Sequence, residues 1–515
     1  MIENRLKRWI DAKPTIWAIV ALGTLFRIVQ YFNNRSLWVD EAKLSINIVE
    51  RGFIELLQPL DYGQSAAPGF LFLQKLSTSI VGNDEFGLRL IPLLSQLLSF
   101  YLLYSVGQQL ISKRAVSLTL AFFAASYSIL YFATEAKQYS TDILVALLVL
   151  KLICWLRGAV LRPSTLALAS VAGSLLIWFS FPATFVLAGV GTVLLIITWR
   201  QHKPRQATLI LIPSVCWALS FLGLVYVVLN NTSNMGDLQA SWGGRGSFMP
   251  FPPTSLTDLG WFVDTFFQFL EDPFYLPYFI SPAARLGSFL LMVGLLLGSI
   301  SLVMRRPVSF FLLISPIVVT LLASGLEQYP FKGRLILFLT PFFVFLFAEG
   351  IVVLSQFLLK GRFQNSLLVI FSGFILFQPY LTATKGLVRP VYRHEMRPLM
   401  AYLQTHYQPD EHLYLYERSA EQLIFYSNQF GFSEDDYTMG RDVREFSTEV
   451  PYQPDLDAVA RQGKVWFVFA NMHIPSEVKA VEAYLDTIGQ PLDSHQEPGA
   501  IAMLYQFPKP YPPED

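Results

Sequence analysis

Apolar runs of roughly the ~20 residues needed to cross a bilayer recur along the first three quarters of the chain, separated by short polar turns. The first covers 14–32. Others cover 86–111, 115–133, 139–156, 164–179, 183–199, 208–229, 286–304, 308–322, 335–354 and 366–381. The pattern predicts an α-helical polytopic membrane protein with about 11 transmembrane helices. Residues 34–84 are too polar to span twice. Within them 41–57 and 68–80 mix apolar and polar positions at helical spacing, which predicts interfacial helices in a first external loop. Residues 230–284, rich in Gly, Pro and aromatics, predict a long external loop.

Beyond residue 388 the pattern shortens to that of a soluble domain. Helices over 395–406, 420–430 and 476–488 alternate with strands over 412–416, 464–470 and 500–507. This predicts a small C-terminal α/β extracytoplasmic domain, one sheet with covering helices. The expected division is therefore a transmembrane domain over 1–388 and a soluble domain over 389–515.

Charge orients the spans. Lys113-Arg114, Arg157, Arg162, Arg200, Lys203, Arg305, Arg306, Lys360 and Arg362 all fall in alternate turns, so these turns are expected on the cytoplasmic side with the N-terminus. An odd number of spans then places the C-terminal domain outside. A missed hairpin would change the count and keep this parity. The first apolar run is too long for a cleavable signal.

Composition agrees: 53% of residues are hydrophobic and 15% charged, and the formal net charge is zero. Nothing in the bulk charge points to a nucleic-acid partner. Cys154 and Cys216 lie inside apolar runs and read as core residues, with neither a disulfide framework nor a metal cluster expected.

The candidate chemistry sits at the external ends of the spans. Asp40 and Glu41 follow the first span, with Lys43 beside them. Glu135, Lys137 and Tyr139 form the turn before the fourth span, with Asp142 one helical turn on. Lys332 and Arg334 precede the tenth. Cations can hold a phosphate leaving group while a carboxylate takes a proton from an incoming hydroxyl. Snorkelling and helix capping account for such residues singly. They account less well for a gathering at the external ends of spans one, three, four and ten. Arg27 and Glu349 lie deeper and are expected to be paired within the bundle.

The segment Trp38-Val-Asp40-Glu41-Ala resembles the first-loop acidic motif of the integral-membrane GT-C glycosyltransferases. Within them it is closest to the dolichyl-phosphate-mannose–protein mannosyltransferases and the lipid A aminoarabinose transferase. Ala66-Ala-Pro68-Gly-Phe-Leu-Phe-Leu-Gln-Lys75-Leu is similar to their HPPLYYLLLKL segment, and Glu85-Phe-Gly-Leu-Arg89-Leu-Ile-Pro92 to EFALRLPS. Glu135-Ala-Lys137-Gln-Tyr139 is similar to EARMY, and Tyr329-Pro-Phe-Lys-Gly-Arg334-Leu to PRYLLP. No one of these motifs is specific; their order and sidedness together are.

The resemblance implies a polyprenyl-phosphate-linked sugar donor and an acceptor hydroxyl on a lipid, glycan or protein at the non-cytoplasmic face. It implies an inverting reaction with Asp40 as general base and Glu41 as a supporting group or cap. Lys137 and Arg334 would stabilise the donor phosphate and Glu135 would orient them, with Tyr139, Asp142, Lys43 and Lys75 counted in the substrate-binding set. Ala66 and Ala67 stand where the family has His and its first proline, so neither a metal nor another cofactor is expected. Lys137 replaces the usual Arg, keeping charge and losing the planar two-pronged grip. Lys43 either contacts phosphate or pairs with Glu41, the second being favoured.

Two other classes fit an outer-face membrane protein: a transporter of lipid-linked glycans, and a polysaccharide ligase or polymerase. The chain shows no internal repeat of the kind transporters carry, and the motif order argues against a ligase. Trp242, Phe248, Phe251 and Trp261 in the long loop suit either a sugar platform or an interfacial belt. Short turns and the absence of a retention signal point to a bacterial plasma membrane, with membrane lipids as further partners.

Overall fold

The computed structural model describes residues 3–508 apart from 4, 7–9, 11, 231–234, 275–281, 360–362, 441–452 and 471–474. Among the described residues nine helices are long and apolar enough to cross a membrane: Lys13–Phe32, Glu85–Leu110, Tyr139–Gly158, Ala183–Arg200, Pro204–Val228, Arg285–Arg305, Pro307–Gly325, Gly333–Leu358 and Gln364–Val388. The protein is an integral membrane protein. Two further expected spans take other forms. The run over 115–133 is interrupted at Ser126 into helices Lys113–Ala125 and Tyr127–Phe132, and the run over 164–179 is the shorter apolar helix Pro163–Phe179.

The chain separates into two compact units. The first comprises Met1–Asn33 and Gly52–Pro390, and the second comprises Asn34–Arg51 and Val391–Asp515. Residues 34–51, expected with the transmembrane domain, thus cluster with the C-terminal sheet.

In the first unit, helices Pro282–Arg305 and Thr340–Leu358 pack backbone to backbone. A Cβ on Gly350 would collide with the carbonyl of Gly294, and one on Gly298 with the carbonyl of Leu346. Small residues permit this approach, which gains dispersion contacts where lipid offers no hydrophobic drive. Arg27 is fully buried and is held by carbonyls and an amide rather than by an acid. Its Nη1 donates to Gly23 O at 2.9 Å and Ala124 O at 3.3 Å, and its Nη2 to Phe123 O at 2.9 Å and Gln96 Oε1 at 3.3 Å. Its guanidinium also lies against the rings of Phe100 and Phe123, at 4.7 and 5.0 Å. The carbonyls of Phe123 and Ala124 are those at the end of helix Lys113–Ala125, so the cation satisfies a helix terminus that lipid cannot. Glu349 accepts from the backbone N–H of Ser112 at 2.8 Å, again in place of an ion pair.

The stretch expected as a long loop over 230–284 contains the helices Met235–Gly243 and Leu256–Phe274. The second is amphipathic, with Phe269 and Leu270 buried while Leu259 and Val263 stay exposed. Its Gly and Pro residues gather in the 244–253 connection, which is why composition alone read as loop. Residues 231–234 and 275–281 of this stretch lie outside the described residues.

The second unit is built on a five-stranded sheet of order β2-β1-β3-β5-β4. β1 is Glu411–Leu415, β2 Tyr437–Met439, β3 Lys464–Ala470, β4 Gln490–Glu497 and β5 Ala500–Gln506. β1 is parallel to both β2 and β3; β5 is antiparallel to β3 and β4. Almost every residue of β3 is buried, as befits a central strand covered on both faces. The sequence pattern yields β1, β3 and β5. It misses β2, which is three residues long, and β4, an edge strand whose Gln490–Glu497 residues carry no apolar alternation.

Helix Val39–Glu50 completes this unit. Val39, Ala42, Leu44, Ile46 and Ile48 are all buried, and the helix packs against Ala420–Phe430. An interfacial helix would turn one apolar face to lipid. This one is covered by protein on most of its circumference.

Candidate functional site

The first unit gathers one part of the expected site at the turn before helix Tyr139–Gly158, at the opposite end of that helix from Arg157. The turn is buried despite its polarity: Glu135 is fully buried and Lys137 is 6% exposed. Hydrogen bonds hold it. Ser140 Oγ donates to Phe132 O at 2.6 Å, and Gln96 Nε2 donates to Ser140 Oγ at 3.2 Å. Lys137 Nζ donates to Gln64 Oε1 at 2.6 Å, and Gln138 Nε2 donates to Ser65 O at 3.4 Å. A buried ammonium is costly unless its donors are met. Gln64 was not foreseen as part of the site; its signal was its place just before the Ala66-Ala67-Pro68 segment.

Arg334 opens the 3-10 segment Gly333–Leu339, which packs against helix Tyr139–Gly158. Gly333 takes a left-handed backbone with φ +52°, a turn that favours glycine and sets the direction in which Arg334 leaves it. The Arg334 guanidinium lies 5.7 Å from the centre of the Tyr139 ring. Tyr139 is itself wedged edge-on against Phe132, with ring centres 5.0 Å apart. The structure therefore brings Glu135, Lys137, Tyr139, Asp142 and Arg334 onto two packed elements. Lys75 lies on helix Pro68–Val81 and does not line the cavity beside them.

That cavity has a volume of about 230 Å³ and is lined by Ser65, Gln138, Tyr139, Asp142, Trp242 and Tyr329, among others. Asp142 is buried on the first turn of its helix, and its Oδ1 accepts no hydrogen bond among the described residues. Tyr329 donates to Leu335 O at 2.8 Å. Burial, reinforced by Asp142 and Tyr139, pushes its phenol well above the usual value, so it stays a neutral donor. Trp242 and Phe248 reach the cavity, whereas Trp261 donates to Gly246 O at 3.0 Å and braces the loop. The cavity wall is aromatic and carries the carboxylates of Asp142 and Glu327, while Lys137 and Arg334 belong to the flanking turn and 3-10 segment and do not line it.

The acidic pair belongs to the second unit. Asp40 is half-buried in the first turn of helix Val39–Glu50, where the helix dipole favours a carboxylate. Glu41 is fully buried, and its Oε2 accepts from Trp38 N at 3.4 Å, a capping contact. Lys43 does not pair with Glu41. It forms an ion pair with Glu421 at 3.1 Å, because helix Ala420–Phe430 lies alongside.

Comparison with known proteins bears on the fold. A family model described as dolichyl-phosphate-mannose-protein mannosyltransferase matches residues 65–230, which contain the 135–142 turn and Gln64's neighbours but less than half of the chain. The structure is similar to that of ArnT from Cupriavidus metallidurans bound to undecaprenyl phosphate. That match has 13% identity and TM-score 0.57, and covers 96% of this chain and 98% of that one. The fold is that of a GT-C glycosyltransferase. The apo state of the same ArnT matches at 12% identity and TM-score 0.56, over 96% and 98% of the two chains. The archaeal oligosaccharyltransferase AglB from Archaeoglobus fulgidus, in complex with an inhibitory peptide and a dolichol-phosphate, matches at 11% identity and TM-score 0.54. It covers 95% of this chain and 74% of that one. No curated protein matches the sequence. At these identities the solved structures share the GT-C fold with this chain, and the roles of individual residues rest on its own geometry.

Proposed function

We propose that the protein transfers a sugar from a polyprenyl-phosphate donor to an acceptor hydroxyl on the non-cytoplasmic face of a membrane. The observation that carries this reading is the shell of Lys137, Arg334 and Tyr139 beside a cavity holding the buried Asp142. A nearly buried lysine with a half-buried arginine on the neighbouring element is expensive in a membrane protein and marks an ion or substrate site. A lipid phosphate is the anion that suits a GT-C fold.

In the proposed reaction Asp40 accepts the proton of the acceptor hydroxyl as its oxygen attacks the anomeric carbon. The bond from that carbon to the phosphate oxygen breaks, and the configuration inverts in this single displacement. The negative charge that develops on the departing polyprenyl phosphate is met by the Lys137 ammonium and the Arg334 guanidinium. Glu135 holds these cations in place, and Glu41 caps the helix that carries Asp40. Trp242 and Phe248, at the cavity wall, offer faces on which a sugar ring packs. The set of residues asks for no metal, and the reading predicts transfer that withstands chelators. Short turns and basic alternate loops support a bacterial plasma membrane with the soluble domain outside.

The test is transfer by purified protein from a panel of radiolabelled polyprenyl-phosphate sugars, with total host lipid and protein as acceptors. Label entering an acceptor from one donor supports the reading and names the sugar. Folded protein that transfers from none of them overturns it.

A further inference from the structure

The soluble domain has a reason to exist that the transfer reaction alone does not supply. Residues 34–38, which lead into the helix bearing Asp40, form no regular secondary structure, so their backbone polar groups need partners from elsewhere. Within the second unit those partners come from residues more than 350 positions later in the chain. Glu395 accepts from Ser36 N with its two oxygens at 3.2 and 3.3 Å, and from Ser36 Oγ at 3.0 Å. Ser36 Oγ in turn accepts from Arg397 N at 3.1 Å, and Arg397 donates to Asn34 O. Both backbone groups of Leu37 are met by one helix face. Its N–H donates to Tyr426 OH at 2.8 Å, and its carbonyl accepts from Gln422 Nε2 at 2.8 Å. Gln422 and Tyr426 are four residues apart on helix Ala420–Phe430, hence on the same side, and both are fully buried, as is Leu37. The same helix supplies Glu421 to Lys43 at 3.1 Å, and Arg393 lies 5.1 Å from the centre of the Trp38 ring.

These contacts bracket Asp40. Ser36 and Leu37 are fixed on its N-terminal side and Lys43 on its C-terminal side, one helical turn away. Seven donor–acceptor contacts and an ion pair are far more than a passing loop needs for solubility. A carboxylate that must meet a hydroxyl proton has a narrow productive geometry, and a misplacement of ~1 Å costs about 10²-fold. We infer that Glu395, Gln422, Tyr426 and Glu421 are positioning residues for Asp40, so that the C-terminal domain serves to hold the catalytic carboxylate rather than to recognise substrate by itself. The inference rests on the reading of Asp40 as the base.

Two measurements on the full-length protein in detergent separate its failure from the failure of that reading. The first is hydrogen exchange of the amides over 36–41 in wild type, Glu395→Gln, Tyr426→Phe and the pair Lys43→Glu and Glu421→Lys. The second is the donor KM and kcat of the same proteins. The expected result is faster exchange at 36–41 in Tyr426→Phe and Glu395→Gln, with kcat lowered about 10- to 100-fold and donor KM unchanged. Lys43→Glu alone lowers kcat, and adding Glu421→Lys restores it. In an Asp40→Asn background Tyr426→Phe adds no further loss. Exchange at 36–41 that does not change in the variants overturns the tether. Faster exchange with unaltered kcat in an active enzyme overturns the positioning role. Faster exchange in the variants, with a wild type that transfers no sugar, leaves the tether standing and sinks the reading of Asp40.

Discussion

Lys137 and Gln64 meet at 2.6 Å between Nζ and Oε1, joining the 135–139 turn to the segment that precedes helix Pro68–Val81. The ammonium is nearly buried, so its direction is set by this neutral acceptor and by the surrounding turn. A hydrogen bond to a charged group contributes roughly 1.5–3 kcal/mol, and losing it misdirects the cation. Gln64→Ala is expected to raise the donor KM about 10- to 100-fold while leaving the detergent-solubilised protein folded. Lys137→Ala is expected to raise it further. Donor titration in the transfer assay checks both; unchanged donor kinetics in Lys137→Ala would remove that residue from phosphate binding.

Arg334 differs from Lys137 in what it touches. Its planar guanidinium rests near the Tyr139 ring, an arrangement that an ammonium reproduces poorly. Cation–π contacts of this kind are worth about 0.5–2 kcal/mol. Arg334→Lys is therefore expected to weaken donor use about 10-fold despite keeping the charge, and Tyr139→Leu to weaken it by a similar factor. The two together should lose less than the product of the single effects. Full additivity would show that the ring and the guanidinium act separately.

Much of this was legible in the sequence, and the reasons are physical. Long apolar runs are read by length alone, which is why 14–32, 139–156 and 183–199 emerge as helices Lys13–Phe32, Tyr139–Gly158 and Ala183–Arg200. The 135–139 turn was visible because charge is conspicuous next to lipid. Other features were hidden because they depend on distant parts of the chain. Lys43 and Glu41 are two residues apart, so their pairing was the nearest guess; Glu421 wins because helix Ala420–Phe430 packs alongside. Arg27 was expected to be paired within the bundle, and the helix interruption at Ser126 supplies the carbonyls of Phe123 and Ala124 as partners. β4 was invisible because an edge strand needs no apolar alternation.

Close packing of helices Pro282–Arg305 and Thr340–Leu358 supports the bundle at a distance from the 135–142 turn. A Cβ on Gly350 would overlap Gly294 backbone, which has no side chain to move aside. Overpacking of a close interface costs typically about 1–3 kcal/mol. Gly350→Ala should lower the thermal unfolding temperature in detergent, and Gly350→Val should lower it more, with activity lost only as folded protein is lost. A variant that stays fully stable would contradict the backbone-to-backbone contact.

Sidedness follows from the basic turns. After replacement of Cys154 and Cys216, an impermeant thiol reagent added outside intact cells should label Gln58→Cys and Gln462→Cys, and should spare Gln201→Cys. All three positions are exposed. Labelling of positions 201 and 462 from the same side would overturn the proposed orientation of the soluble domain.

The central claim is that Asp40 takes the proton of the acceptor hydroxyl as sugar leaves a polyprenyl phosphate. A positioned general base contributes ~10²–10⁴-fold in rate. The measurement that reaches it most directly is single-turnover transfer, comparing wild type with Asp40→Asn at saturating donor and equal amounts of folded protein. The account predicts donor binding in both and transfer slowed by about 10²-fold or more in Asp40→Asn. Transfer by Asp40→Asn at the wild-type rate would contradict it.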